Sequence, residues 1–237
     1  MKILALETSS VTASVAVTEG ERLLAQSFRN SGLTHSATLM PMAASLLEQA
    51  GLSLAEMDVI AVAAGPGSFT GVRIGVAAAK GLAWPGDKPC AACSTLESMA
   101  WQCAHVDGEI CAVMDARRSQ VYSARFLARD GVLTRLSPDQ AIGLEQLCAQ
   151  AEASGEEQLL VGDGAALCGQ AFQAAGVPAR TMPPHLVYPT AWGVARAALR
   201  LAQAGELVSP TRLTPEYHRL SQAERERLEK TKGRKGE

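Results

Sequence analysis

The stretch Ala63–Lys80, AAGPGSFTGVRIGVAAAK, constrains the fold of this chain more than any other segment. Asp58–Ala64 reads as a strand, which meets a Gly-Pro-Gly turn, and a helix begins at once. Gly65 and Gly67 let the backbone turn that sharply, and Pro66 fixes one φ angle between them. Ser68 is placed to cap the helix, its hydroxyl accepting a hydrogen bond from a first-turn amide. The helix then carries Gly71, Gly75 and Gly81 beside Ala77, Ala78 and Ala79. Each interior glycine costs a helix about 1 kcal/mol relative to alanine. The compensation expected is the close approach of another backbone, here the helix of a partner protein.

Around this unit the chain reads as two successive α/β halves. Strands are expected at Ile3–Leu6, Ala13–Val17 and Arg22–Phe28, with a tight turn at Thr18–Glu21. A helix over Thr34–Ala50 ends at Gly51, a strand lies near Cys90, and a helix over Ser94–Ala104 opens with the capping-box spacing Ser94-Thr-Leu-Glu97. The pattern then restarts. Strands are expected at Glu109–Met114, Gln120–Phe126, Val132–Leu136 and Gln158–Val161, with helices at Leu144–Ala153, Ala165–Ala175 and Ala191–Ala204. Two tandem α/β domains with mixed sheets account for this order: residues 1–105 and 106–237, the last helix free to return onto the first domain. The mixed-sign tail Glu224–Glu237 reads as solvated and partly disordered.

Composition excludes some functions. A net charge of −2, from 22 basic and 24 acidic residues, gives no electrostatic case for binding nucleic acid or an anionic membrane unaided. No apolar run approaches the ~20 residues of a membrane span. The N-terminal run stops at Glu7, short of the ~7–15 apolar residues of a secretory core, so a cytoplasmic protein is expected. The six cysteines sit in apolar surroundings and read as small core side chains, Cys90 and Cys93 included.

The usual catalytic signatures do not occur. None of His35, His105, His185 and His218 lies three or four residues from another, so no helix presents a two-histidine metal face. There is no G-x-S-x-G elbow, Walker loop or dinucleotide fingerprint. The Gly65–Ser68 turn could hold an anion, but it lacks the lysine of a phosphate loop, and a tight strand-to-helix connection explains it better. Glu7-Thr8-Ser9-Ser10 closes the first strand, and Asp115 with Arg117 and Arg118 holds the analogous place in the second half. An acid at both places is what a nucleotide-binding ancestor would leave. Ordinary polar turns would look the same.

The helix Thr34–Ala50 is apolar around most of its circumference. At roughly 100° per residue Leu39, Met42, Ala43, Leu46, Leu47 and Ala50 share one face, which Ala37, Met40 and Ala44 extend. Pro41 removes one helical hydrogen bond and predicts a kink. A helix of this kind has two sides to bury. Together with the glycine-lined helix it predicts a partner surface at Thr34, His35, Leu39, Met40, Ala43, Leu47, Phe69, Gly71, Arg73, Gly75, Ala79 and Lys80, the alternative being that both helices are sandwiched within their own domain. On this reading Gly75→Leu folds normally and loses the partner.

The segments ILALETSS, THSATLMP, AAGPGSFTGVRIGVAAAKGLA, CSTLESMA, MDARRSQVY and VGDGA occur in that order. Together they make the chain resemble the TsaB (YeaZ) family, bacterial accessory subunits in the synthesis of threonylcarbamoyladenosine in tRNA. The resemblance runs from about Met1 to Arg219 and is most specific at GPGSFTGVRIG. It implies the duplicated, ribonuclease-H-like fold of actin, sugar kinases and Hsp70, in a group once filed with glycoprotease-like peptidases. It implies a subunit that is no enzyme on its own, has no metal and no cofactor beyond weak nucleotide binding, and works through partners. Those are the catalytic paralogue TsaD, joined through the two helices above, and the ATPase TsaE. Transfer RNA is met only within that complex, and a homodimer forms when the subunit is alone. The paralogue holds metal through an H-x-x-x-H pair. Here Thr95 and Met99 stand at the matching positions, and neither replaces an imidazole ligand. The resemblance also points to a vestigial nucleotide cleft at Glu7, Thr8, Ser9, Asp115, Arg117, Gly162 and Gly164, with Glu7 where aspartate is more typical. The alternatives are a metallopeptidase or small-molecule kinase of the same fold, and a direct tRNA-binding module using Lys230, Lys232, Arg234 and Lys235.

Overall fold

The computed structural model describes residues 1–117 and 119–218. The charged tail, and with it Lys230, Lys232, Arg234 and Lys235, lies outside the described residues.

The first sheet holds β1 (Lys2–Glu7), β2 (Ala13–Glu19), β3 (Arg22–Arg29), β4 (Val59–Gly65) and β5 (Cys90–Ser94), in the order β3-β2-β1-β4-β5. β1, β2 and β3 are antiparallel neighbours, while β4 and β5 continue parallel to β1. The second sheet holds β6 (Gly108–Asp115), β7 (Gln120–Arg129), β8 (Val132–Arg135), β9 (Gln140–Gly143), β10 (Gln158–Val161) and β11 (Ala179–Thr181). Its order, β8-β7-β6-β10-β11, with β9 also on β7, repeats the first with the same strand directions. This is a duplicated α/β fold with two mixed sheets of the same topology. β9 and β11, of four and three residues, were not expected from the sequence.

The helices are α1 (His35–Gln49), α2 (Phe69–Ala83), α3 (Thr95–Cys103), α4 (Leu144–Ser154), α5 (Ala165–Ala175) and α6 (Ala191–Gln203). α1 and α2 cover one face of the first sheet: Leu39, Met42, Leu46, Val72 and Val76 share a core with Leu4, Leu6, Ile60 and Val62. The other face of that sheet is covered by α6, through Ala191, Val194, Ala195 and Ala198. α3 packs on the second sheet through Leu96, Met99 and Ala100. α3 and α6 pack so closely that Gly193 lies against the Ser98 backbone. The two helices tie the two sheets together.

One ionic cluster sits at this junction. Glu97 on α3 is buried and accepts hydrogen bonds from Arg200 on α6 (2.7 and 3.2 Å) and from Arg135 at the end of β8 (3.0 Å). Burial opposes its ionisation, but the two guanidinium groups outweigh burial and hold the carboxyl below the ordinary range. The capping box expected at this helix is therefore half formed. The Ser94 hydroxyl accepts from the Glu97 amide (3.0 Å), while the Glu97 side chain turns to the arginines. All six cysteines are buried and unbridged. Burial pushes the Cys90 thiol up to about 11 and those of Cys103 and Cys111 to about 12.

Candidate functional site

Two regions gather the residues singled out by sequence. One is the outer side of α1 and α2, and the other is the cleft between the sheets.

α2 starts as its sequence predicts. Ser68 accepts from the Gly71 amide (3.3 Å) and gives its own amide to the Ser9 carbonyl (2.7 Å). The glycines have a different reason from the one expected. A Cβ on Gly71 would fall on the carbonyl oxygen of Thr8. One on Gly75 would stand 2.5 Å from the Thr8 hydroxyl and 3.1 Å from Val62. Gly81 faces open space. The backbone that comes close is the turn after β1 in the same chain, and the Thr8 hydroxyl donates to the Gly71 carbonyl (2.8 Å). Gly71, Gly75 and Ala79, with Leu39, Ala43 and Leu47 of α1, are buried within the chain's own core, so a partner cannot touch them directly. Apolar side chains at that spacing serve the nearest available surface, which is the sheet beneath. Gly75→Leu would therefore break the fold and cannot report on an interface.

The outer side is nonetheless apolar. Met40 is 43% exposed, and Ala37, Pro41 and Ala44 are exposed beside it on α1, which runs as one helix through Pro41. Along α2, packed against α1, the exposed strip is Thr70, Arg73, Ala77 and Gly81, ending in Trp84 at 65% exposure. Thr34 is exposed at the start of α1. Lys80 is half-buried, its Nζ 3.5 Å from the Thr211 carbonyl oxygen. Phe69 is half-buried under Tyr217. His35 turns away from this side into the cleft, where its Nε2 lies 2.9 Å from the Ser10 carbonyl oxygen.

The cleft is a cavity of about 580 Å³ lined by Ser9, Ser10, His35, Gly67, Ser68, Asp115, Arg117, Tyr122, Asp163 and Glu216 to His218. Ser9, Asp115 and Arg117 thus meet in one place. Asp163, which the sequence did not single out, joins them and accepts from the Asp115 amide (3.0 Å). Its carboxyl is pushed up, first by burial and then by neighbouring Asp115, although backbone amides pull it down. Asp115 in turn accepts from the Arg117 amide (2.7 Å). Glu7, Thr8, Gly162 and Gly164 are buried and do not line the cavity. Both glycines lie under the end of β6, where a Cβ would meet backbone atoms from Val113 to Asp115. Glu7 is fully buried, and one carboxyl oxygen takes the amide and hydroxyl of Ser9. The other has no partner among the described residues, and burial raises the carboxyl to about 7 despite the bonds from Ser9. Among the described residues no three His, Cys, Asp or Glu side chains are grouped to hold a metal ion. Thr95 and Met99 are buried in α3.

A family model for TsaD, tRNA N6-adenosine threonylcarbamoyltransferase, matches residues 29–225. The tRNA threonylcarbamoyladenosine biosynthesis protein TsaB of Bacillus subtilis is 33% identical over 241 residues, spanning 98% of this chain and all of the relative. The chain belongs to the TsaB (YeaZ) family. The TsaB protein of Escherichia coli is 37% identical over 128 residues, 53% of this chain and 55% of that protein. YeaZ from Pseudomonas aeruginosa superposes with a TM-score of 0.78 at 26% identity, over 91% of this chain and 99% of that one. Membership of the TsaB family places the chain in the synthesis of threonylcarbamoyladenosine in tRNA, and the TsaD-type match shows that it shares a domain family with a transferase of that name.

Proposed function

We propose that this chain is a non-catalytic subunit that docks on a catalytic chain of its own fold, the TsaD-type transferase, and holds it in an active arrangement. The observation that carries this reading is the outer side of α1 and α2, with Met40, Ala37, Ala44, Ala77 and Trp84 turned outward on helices whose inner faces already fill a core. An apolar surface made of small residues lets two helices approach closely, and its burial is worth about 25 cal/mol per Å² before the costs of association. Thr95 and Met99, at the metal-ligand positions of the resemblance, support a role without metal chemistry. The same outer side would pair two copies when the partner is missing. An ATPase of the TsaE type would dock on the assembled pair, and tRNA would be met there. The location is cytoplasmic, where tRNA is modified. Among the described residues no helix is long and apolar enough to cross a membrane.

The test is reconstitution. Purified TsaD-type transferase, ATPase, tRNA and threonylcarbamoyl donor are combined with and without this chain. The modified nucleoside forms only with it, and Met40→Asp, at an exposed site, gives a folded chain that fails to support formation. Stoichiometric metal on the isolated chain, or turnover by it alone, would refute the non-catalytic reading and favour an enzyme.

A further inference from the structure

After α6 the chain runs back across the first sheet and along α2. Val208 exchanges two backbone hydrogen bonds with Cys90 (2.8 and 2.9 Å), extending the sheet beyond β5. Leu213 is buried in the core under α1 and α2. The Glu216 amide donates to the Ala64 carbonyl (2.8 Å), and its own carbonyl passes over Gly65, where a Cβ would collide with it. Tyr217 then stacks on Phe69, with ring centroids 5.0 Å apart and an angle of 29°. Arg73 lies over the Phe69 ring at 3.8 Å and donates from Nε to the Tyr217 hydroxyl (2.6 Å).

The result is a fixed stack of two rings and a guanidinium at the exposed N-terminal end of α2. Tyr217 remains 46% exposed and Arg73 is exposed. Among the described residues the two terminal amino groups of Arg73 have no hydrogen-bond or ion-pair partner. A guanidinium whose plane is held by rings and whose Nε is already committed presents a two-pronged donor at little entropic cost. Exposed tyrosine and arginine, held rigid, are the side chains on which protein interfaces concentrate their energy.

We infer that the strap 208–218 is a third element of the docking surface beside α1 and α2, and that its Tyr217–Arg73–Phe69 stack receives a carboxylate side chain of the same-fold partner. The inference rests on the α1–α2 reading above, with which the stack is continuous along α2. It adds the chemistry of the contact: an acidic residue of the partner, held by two parallel N–H donors against an aromatic floor.

Binding of this chain to the TsaD-type partner is measured by titration calorimetry at two salt concentrations, for wild type, Arg73→Lys, Arg73→Ala, Tyr217→Ala, Tyr217→Phe and Met40→Asp. Arg73→Lys keeps the charge but loses the fork, and binds about 10-fold more weakly. Tyr217→Ala removes floor and acceptor and binds about 30-fold more weakly, on the scale of an interface anchor. Tyr217→Phe keeps the stack and stays within about 5-fold of wild type. The salt dependence falls in Arg73→Ala relative to wild type. Each variant keeps the wild-type melting temperature within a few degrees, since Leu213 still anchors the strap. Wild-type affinity in Arg73→Lys and Tyr217→Ala, with binding lost in Met40→Asp, overturns the inference and leaves the α1–α2 reading standing. Wild-type affinity in all of them overturns both.

Discussion

Two glycines of one helix, Gly71 and Gly81, should respond oppositely to alanine. Both are interior to α2, and both have ordinary helical φ. On propensity alone each change to alanine stabilises the chain by about 1 kcal/mol. Gly81 has nothing within 4 Å of the added methyl, so Gly81→Ala should realise about 0.5–1 kcal/mol. At Gly71 the methyl falls on the Thr8 carbonyl oxygen, well inside the 3.0 Å that real Cβ atoms respect, and on backbone that cannot swing away like a side-chain tip. Moving it also strains the Thr8 hydroxyl bond to the Gly71 carbonyl and the Ser68 amide bond to Ser9. Overpacking of this kind costs roughly 1–3 kcal/mol, and the lost bond about 1 more, so Gly71→Ala should destabilise by about 2 kcal/mol after the propensity gain. Urea unfolding followed by circular dichroism reads both changes as shifts of midpoint at constant slope. Stabilisation by Gly71→Ala would refute the claim that the turn after β1 is what made this helix thin.

Three further outcomes follow from the same geometry. Burial raises Glu7 from 4.5 to about 7, so the folded state binds the proton more tightly than the unfolded one; stability is greatest below about pH 4.5 for this group and declines up to about pH 7, by about 3 kcal/mol in all. Glu7→Gln should remove that decline between pH 5 and 7, and an unchanged pH profile of urea midpoints would count against a buried, protonatable Glu7. Glu97→Gln leaves Arg135 and Arg200 without their shared carboxylate and should cost about 2 kcal/mol, the partial exposure of both arginines keeping the loss below that of a fully buried pair; thermal unfolding measures it. The six thiols, buried and with Cys90, Cys103 and Cys111 raised to about 11–12, should react with a disulfide reagent only at the rate of unfolding; a thiol titrating within minutes in the native protein would contradict their placement.

Much of the fold is legible because its signals are local. The Thr18–Glu21 turn, the Ser68 and Ser94 caps and the alternation of short strands with helices are written within a few residues, and each is found in place. The order of elements gives the duplication, since both halves repeat it. β9 and β11 escape because strands of three or four partly exposed residues carry too little alternation to stand out. Tertiary choices are less visible. The apolar faces of α3 and α6 say that each is buried, but not that α3 goes to the second sheet and α6 to the first. The glycines of α2 announce a close backbone without saying whose, and Thr8 lies 63 residues from Gly71 in the chain. Of the α1 residues named for a partner, Leu39, Ala43 and Leu47 lie on its core face, while Met40, with Ala37 and Ala44 that widen the apolar arc beyond what one core needs, is turned outward. Tyr217 sits in an extended segment with no period at all, and only the contacts made by Glu216 and Phe69 reveal it.

In the function proposed above, this chain acts by docking its outer α1–α2 side on a catalytic chain of the same fold. The most direct measurement is the affinity of the purified chain for the TsaD-type transferase, wild type against Ala77→Glu. Ala77 is exposed on the outer strip of α2, away from core and cleft, so the variant should keep the wild-type melting temperature. A charge there should weaken binding by at least about 30-fold, because a carboxylate would be buried unpaired between close helices. Undiminished binding by a folded Ala77→Glu would contradict it.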